Sequence, residues 1–372
     1  MSISSGFVAA SFAPVREAFE RNFEDDLELG ASFAAYVGDE LVVDLVGGWT
    51  DRKKETAWDA RTLCPVFSTT KPISALVIAM LVDRGQVDYD AALSMYWPEF
   101  GAEGKGDVTV AEALSHQAGV PGFPDPIDPD LWLDPPALSA ALSQLKPMWK
   151  PGEGSGYHPL TWGYIAGELA RRVDGRTLGT ILRKDICEPL GIDFWIGTPA
   201  SEHARCAQMM KPKAPTQFGP PNPALTAAFL TPWAAPSRGG AAWREAEIPS
   251  ANGHGGAAAV ARLFSAYALK GRIGETRLVS NSTWEQLTRE RVSGPDRILP
   301  GPVAFAAGVM RNLPLIYGPN PATLGHSGWG GSGALGDPAK GLSAAYVMNR
   351  QGSHLLEHAR RSRIIDALYG CL

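Results

Sequence analysis

The chain is poor in cysteine, and the cysteines it has form no pattern. Cys64, Cys187, Cys206 and Cys371 are the only four in 372 residues, and no two stand at C-x-x-C spacing. A disulfide framework and a cysteine zinc site are therefore not expected, and four free thiols are. The seven histidines show no H-E-x-x-H or comparable ligand spacing, so no metal and no other cofactor is expected. No apolar run reaches the ~18 residues needed to span a membrane. Basic residues do not cluster: Lys53-Lys54 and Arg360-Arg361 are short pairs in a chain of net charge -5, which speaks against a nucleic-acid partner. The first twenty residues place no basic stretch ahead of an apolar one, so the expectation is a chain without a secretion signal, located in the cytoplasm. No G-x-S-x-G occurs, which leaves an α/β-hydrolase nucleophile elbow without support. Internal repeats and low-complexity tracts are also missing.

What is present fits a folded enzyme. Hydrophobic residues make up 45% and charged residues 20%, and the length calls for one large domain or two closely packed ones. The start reads as a helix over residues 11-27. Two strand-like runs follow, Ala31–Val37 and Glu40–Val46, joined by a Gly38-Asp39 hairpin turn, with Gly47-Gly48 closing the second. From Ser68 to Asp83 apolar residues recur at helical spacing, Pro72 falls in the tolerant first turn, and Gly85 stops the helix. Two proline-rich loops, Pro121–Pro136 and Pro212–Pro236, are expected to shape a substrate site. Residues 257-270 predict a helix ending at Gly271. Val303–Met310 and Leu342–Met348 predict strands, and a last helix is expected from about Leu355 to Leu368. The natural arrangement is α+β: an antiparallel sheet flanked by the terminal helices, with a mainly helical region. In that reading residues 1-66 and 251-372 form one discontinuous domain and residues 67-250 the helical one, with the active site between them.

Ser68-Thr69-Thr70-Lys71 is an S-x-x-K motif. Residues three apart share a helix face, so the lysine amine can approach the serine hydroxyl. A desolvated lysine loses its proton near neutrality and serves as a base. A nucleophile at a helix N-terminus also brings a backbone N–H for an oxyanion. The motif alone is weak, because Ser143-Gln144-Leu145-Lys146 repeats it, and both copies run into a proline, Pro72 and Pro147. Only Pro72 is followed by a long apolar helix able to bury the lysine.

Four separated blocks, in one consistent order over roughly residues 15-370, resemble the group of class C β-lactamases, D-alanyl-D-alanine peptidases and family VIII esterases. They are VFSTTKPISALVIAMLVDRGQVDYDAAL, VTVAEALSHQAGVPG, KPGEGSGYHPLTWGYIAGELARRVDGRTLGTILRKDICEPLGI and GHSGWGGSGALGDPAKGLSAAYVMNR. The resemblance implies a β-lactamase/transpeptidase-like fold. It makes Ser68 the nucleophile, Lys71 its partner, and Tyr157 the tyrosine of a Y-x-N motif. Tyr157 would assist attack, protonate the leaving group and later activate the deacylating water, with the Lys71 ammonium stabilising its phenolate. Whether Lys71 or Tyr157 is the acylation base stays open. His326-Ser327-Gly328 takes the place of Lys-Thr-Gly. There, Gly328 would let the strand edge near the substrate, and His326 would offer a hydrogen bond or a positive charge. The backbone N–H of Trp329 would join that of Ser68 in the oxyanion hole. His116 is read as a capping or packing residue.

Two departures steer the expectation. Pro159 replaces the asparagine of Y-x-N, removing an amide that would bind an acylamino side chain. His-Ser-Gly replaces Lys-Thr-Gly, weakening a permanent cation for a substrate carboxylate. Both disfavour an efficient β-lactamase or peptidase and suit a serine carboxylesterase acting on short-chain esters. The expected partner is a small-molecule ester, with neither nucleic acid nor membrane. Phe123, Trp149, Trp233 and Trp329 fall in or beside the expected active-site loops and would line an apolar acyl or alcohol pocket. The runner-up is amide chemistry on the same fold: β-lactam or D-amino-acid peptide hydrolysis, or acyl transfer. A noncatalytic, ligand-binding or self-assembling member of the fold is the non-enzyme alternative. Gly328–Gly333 also fits G-x-G-x-x-G, but Gly336-Asp337-Pro338 breaks any helix after it, so a dinucleotide site is set aside.

Overall fold

The computed structural model describes residues 3–313, 315–356 and 359–372. Its frame is an antiparallel sheet of nine strands drawn from both ends of the chain. In chain order these are β1 (Ser4–Val8), β2 (Gly30–Val37), β3 (Glu40–Gly48), β4 (Val292–Pro295), β5 (Pro302–Phe305), β6 (Met310–Arg311), β7 (Leu324–Ser327), β8 (Gly333–Asp337) and β9 (Leu342–Met348). The spatial order is β1-β3-β2-β9-β8-β7-β6-β5-β4. Thus β9, near the C-terminus, pairs along its whole length with β2, from Leu342 against Val37 to Met348 against Ala31.

The sheet is buried on both faces, which explains why β9 reads as an unbroken apolar run rather than an alternation. On one face Leu342, Ala344, Tyr346 and Met348 pack with Phe33 of β2 and with two terminal helices, Ala13–Glu24 and Ala359–Tyr369, through Val15, Phe19, Ile364 and Leu368. On the other face Ala345 and Val347 pack under the helix Ala257–Ala268, through Val260, Ala261 and Phe264. Terminal helices therefore cover one side only; the second cover is the helix expected over residues 257-270.

In the chain, the helical part lies between β3 and β4. Its centre is the helix Thr70–Asp83, in which every residue from Thr70 to Leu81 is buried. A helix that is apolar all round belongs inside a core rather than at its surface. Thr161–Asp174 packs beside it and ends on Gly175 in the left-handed conformation. A small sheet of Cys64–Pro65, His254–Gly255 and Phe194–Trp195 ties this part together just ahead of Ser68.

Several expectations shift. The chain opens with strand β1, which pairs with β3 and was not legible beside the polar residues around it. The predicted strand Val303–Met310 is broken into β5 and β6 by a turn in which the Ala306 N–H meets the Val309 carbonyl. Gly308 there has φ +93 and sits against Ala75 and Trp162, so a side chain would be both strained and crowded. The last helix is described over Ala359–Tyr369; Leu355 and Leu356, where its start was expected, lie in a bend, and Glu357 and His358 lie outside the described residues. All four cysteines are free thiols. Among the described residues no helix is long and apolar enough to cross a membrane.

Candidate active site

Ser68 lies in a tight turn, Phe67–Thr69, that leads straight into the helix Thr70–Asp83. Phe67, just before it, has φ +48, a strained value for a bulky residue that lifts the serine out of the regular helix. One helical turn on, Lys71 is fully buried. Its Nζ donates 2.7 Å to the carbonyl of Pro159 and 3.1 Å to that of Ser250, and lies 3.4 Å from Ser68 Oγ. The segment carrying Ser250 is docked on the same helix by two further bonds, Ser74 Oγ to the Pro249 carbonyl and the Gly253 N–H to Thr70 Oγ1. Among the described residues Lys71 has no carboxylate partner. Burial without a counter-ion disfavours the ammonium and holds its pKa well below the ordinary lysine value.

Tyr157 enters from an irregular segment whose backbone is bonded residue by residue. The Gly156 N–H donates to the His116 carbonyl, the Tyr157 N–H to Asp296 Oδ1, and the His158 N–H to His116 Nδ1, each near 3.0 Å. His158 in turn accepts the Val120 N–H on Nε2. The Tyr157 ring is packed by His116 at 4.8 Å and His326 at 5.9 Å between centroids, with Lys71 Nζ 4.7 Å from its own centroid. Its hydroxyl has the Ser68 hydroxyl as a polar neighbour, and burial pushes its pKa far above that of a free phenol. The phenolate expected from the sequence is thus disfavoured: Tyr157 is held protonated, and Lys71 is the group pushed toward its neutral form.

His326 needs a similar correction. It is buried, with Nδ1 2.8 Å from the Ser327 carbonyl and Nε2 without a hydrogen-bond partner. Burial, and then the nearby Lys71 charge, lowers its pKa to about 3, which favours a neutral ring; of the two roles expected, a positive charge or a hydrogen bond, the charge is disfavoured and the hydrogen bond stays open. Ser327 is committed elsewhere: its Oγ donates to the Leu356 carbonyl and lies 3.2 Å from the Tyr317 hydroxyl. Gly328 makes a close approach to the protein itself. A Cβ there would stand 2.1 Å from Ser332 Oγ and 2.3 Å from the Val66 carbonyl, in the turn that precedes Ser68. Ser332 Oγ also bonds that Val66 carbonyl, so the end of β7 and the serine turn are locked together.

A cavity of about 150 Å³ opens at Ser68 and is lined by Phe67, Leu160, Phe229, Trp243 and Trp329 among others. Of the four aromatics expected there, Trp329 alone lines it. Phe123 and Trp233 join Trp132 in a buried cluster, where the Trp233 indole donates to the Phe123 carbonyl and the Trp132 indole to that of Trp233. Trp149 packs against His158 and Gly156. The Pro212–Pro236 loop does reach the cavity, bringing Phe229 to 5.6 Å from Trp329 and Phe218 against both. These aromatics sit in a proline-rich stretch with no periodicity to reveal their partners. The second S-x-x-K lacks this setting: Ser143 Oγ is bonded to the Ala140 carbonyl at a helix end, and Lys146 is exposed. Among the described residues no cluster of His, Cys, Asp or Glu could hold a metal ion.

Comparison with known proteins gives the family and the fold. The Beta-lactamase family model matches residues 19–369. The chain is 36% identical over 368 residues to the esterase/beta-lactamase LipL of Mycobacterium tuberculosis, covering 94% of this chain and 84% of that one. A penicillin-binding protein homologue from Caulobacter crescentus superposes with a TM-score of 0.97 at 52% identity, over 100% of both chains. A family VIII carboxylesterase superposes with a TM-score of 0.92 at 39% identity, over 99% of this chain and 100% of that one. A buried lysine facing a serine hydroxyl, on a fold shared end to end with these proteins, makes the chain a serine hydrolase belonging to the Beta-lactamase family.

Proposed function

We propose that the protein hydrolyses short-chain carboxylic esters through an acyl-enzyme on Ser68. The observation that carries this reading is the bonding of Lys71. Two backbone carbonyls, of Pro159 and Ser250, take two of its N–H bonds, and the remaining direction meets Ser68 Oγ. As a neutral amine Lys71 keeps both carbonyl bonds and turns its lone pair toward the serine. It accepts the Ser68 proton as Oγ attacks the ester carbonyl carbon. The backbone N–H groups of Ser68 and Trp329 stabilise the oxyanion of the tetrahedral intermediate. Tyr157, protonated, gives its proton to the departing alkoxide and recovers one from the Lys71 ammonium. Water then attacks the acyl carbonyl by the same steps in reverse.

Esters are favoured over β-lactams because the polar clamps are missing. Pro159 has no side-chain amide, and its carbonyl is already used by Lys71. His326 is neutral and buried, and Ser327 is bonded to Leu356 and Tyr317. The cavity walls at Ser68 are largely apolar. The relatives named as esterase and carboxylesterase support this choice; the relative whose name also includes β-lactamase keeps slow β-lactam turnover as the second reading. Each missing polar contact of ~1.4 kcal/mol lowers kcat/KM about tenfold. The test compares kcat/KM for 4-nitrophenyl butyrate and nitrocefin on the purified protein. The ester value should exceed the other by at least ~10²-fold, on the same arithmetic for two contacts. A nitrocefin value equal to or above it would replace the esterase reading with the β-lactamase one.

A further inference from the structure

The cavity at Ser68 continues into a second and larger one. The two share Phe67, Pro236, Arg238, Trp243 and Trp329, and the outer chamber has a volume of about 670 Å³. That lies within the roughly 300–1,000 Å³ of small-molecule sites. Its walls carry Lys211, Arg238 and Arg244, and neither cavity is lined by any aspartate or glutamate. In a chain of net charge -5 this runs against composition.

Among the described residues the three cations also lack acidic partners. Among the described residues none of them makes an ion pair, whereas cations just outside the chamber are matched. Lys213 meets Asp26, and Arg205 meets Asp193 and Glu202. Among the described residues Arg238 is held by ring faces, its guanidinium carbon 5.2 Å from the Trp329 centroid and 6.0 Å from that of Phe67. Contact with a ring face uses none of the N–H donors along the guanidinium edge. Such a fork matches the two oxygens of a carboxylate.

We propose that this chamber binds a carboxylate on the substrate, so that the ester opened at Ser68 belongs to a molecule with a second, anionic end. This rests on the esterase reading above and specifies its substrate class. Arg238, which lines both cavities, is the principal anchor; Lys211 and Arg244 supply the field around it.

The test uses matched pairs of esters on the full chain. One pair carries the charge on the acyl side: 4-nitrophenyl hydrogen adipate and 4-nitrophenyl methyl adipate. The other carries it on the alcohol side: 4-carboxyphenyl butyrate and 4-carbamoylphenyl butyrate. In at least one pair the anionic member should have a kcat/KM about tenfold higher, the scale of one charge-assisted hydrogen bond. The pair that responds identifies which side enters the chamber. Arg238→Ala should bring that ratio close to one through KM rather than kcat, and Arg238→Lys should keep part of it. The preference should also shrink at 1 M salt, where screening acts within ~3 Å. Ratios of one in both pairs, with acylation of Ser68 by the neutral esters intact, overturn the chamber and leave the esterase standing. If no ester acylates Ser68, calorimetric titration of Ser68→Ala with monomethyl adipate decides. Binding that Arg238→Ala weakens supports the chamber, and no binding overturns it.

Discussion

Lys71 Nζ stands 4.7 Å from the centre of the Tyr157 ring, and Ser68 lies within polar reach of both side chains. The amine therefore meets the face of the phenol, and the serine hydroxyl links the two groups. Burial acts on them in opposite senses, pushing Lys71 down and Tyr157 up. Burial thus favours the neutral form of both, placing a base beside an acid in one buried site.

Ser68→Ala is expected to lower ester turnover by about 10⁴ to 10⁶, the usual loss of an activated nucleophile. Ser143→Ala should be nearly silent. Intact-mass spectrometry after a fluorophosphonate should show one adduct on the wild type and none on Ser68→Ala. Normal turnover of 4-nitrophenyl acetate by Ser68→Ala would remove the serine from the mechanism.

Lys71 and Tyr157 should behave as one unit. Lys71→Arg retains a cation but cannot give up its proton, and Tyr157→Phe keeps the ring alone; each should cost at least ~10²-fold in kcat. The double variant should lose far less than the product of the two. In the wild type the activity should rise with pH as Lys71 deprotonates, on a limb well below the ~10.4 of a free lysine. A limb at the free-lysine value, or strictly multiplicative losses, would contradict a shared proton path.

His326 should not act as a charge switch. With its pKa near 3 it stays neutral across the physiological range, so the preference between anionic and neutral esters should be flat from about pH 6 to 8. Its effect belongs to stability. His158, His254 and His326 are all buried with pKa values near 3, below the ~6.5 of the unfolded chain. Between those values the unfolded state binds more protons, so the stability conferred by the neutral rings is present above ~6.5 and is lost as pH falls toward 3. Thermal melts from pH 7 to 4 should show a falling Tm, and His326→Gln should make the fall shallower. An identical slope in the variant would show that His326 does not contribute.

Gly328→Ala probes the lock between β7 and the serine turn. The new methyl group would press on the Val66 carbonyl and Ser332 Oγ. Overpacking of this kind costs about 1–3 kcal/mol, and here it should lower kcat as well as Tm because the displaced turn carries Ser68. Gly219→Ala has open space around it and serves as the control, with no change expected. Full activity in Gly328→Ala would show that the turn tolerates the shift.

Local chemistry was enough to read the elements with strong periodicity. The helix from Thr70, the hairpin around Gly38 and the strand Leu342–Met348 follow from residue spacing and turn chemistry, which act over a few positions. The motif blocks also named Ser68, Lys71 and Tyr157. Tertiary structure decided what surrounds them. The carbonyls that orient Lys71 come from Pro159 and Ser250, residues 88 and 179 positions away. The clamps on Tyr157 come from His116 and from Asp296, 139 positions on. Backbone carbonyls leave no trace in residue identity, and a carboxylate that caps a distant N–H looks in the sequence like any exposed aspartate. The same holds for pocket walls: Phe123 and Trp233 pair with each other while Phe229 and Arg238 reach the cavity, because the path of a proline-rich loop is set by what it packs on. The charge states were decided in the same way. The titration of Lys71, Tyr157 and His326 depends on burial, and burial is a property of the assembled core.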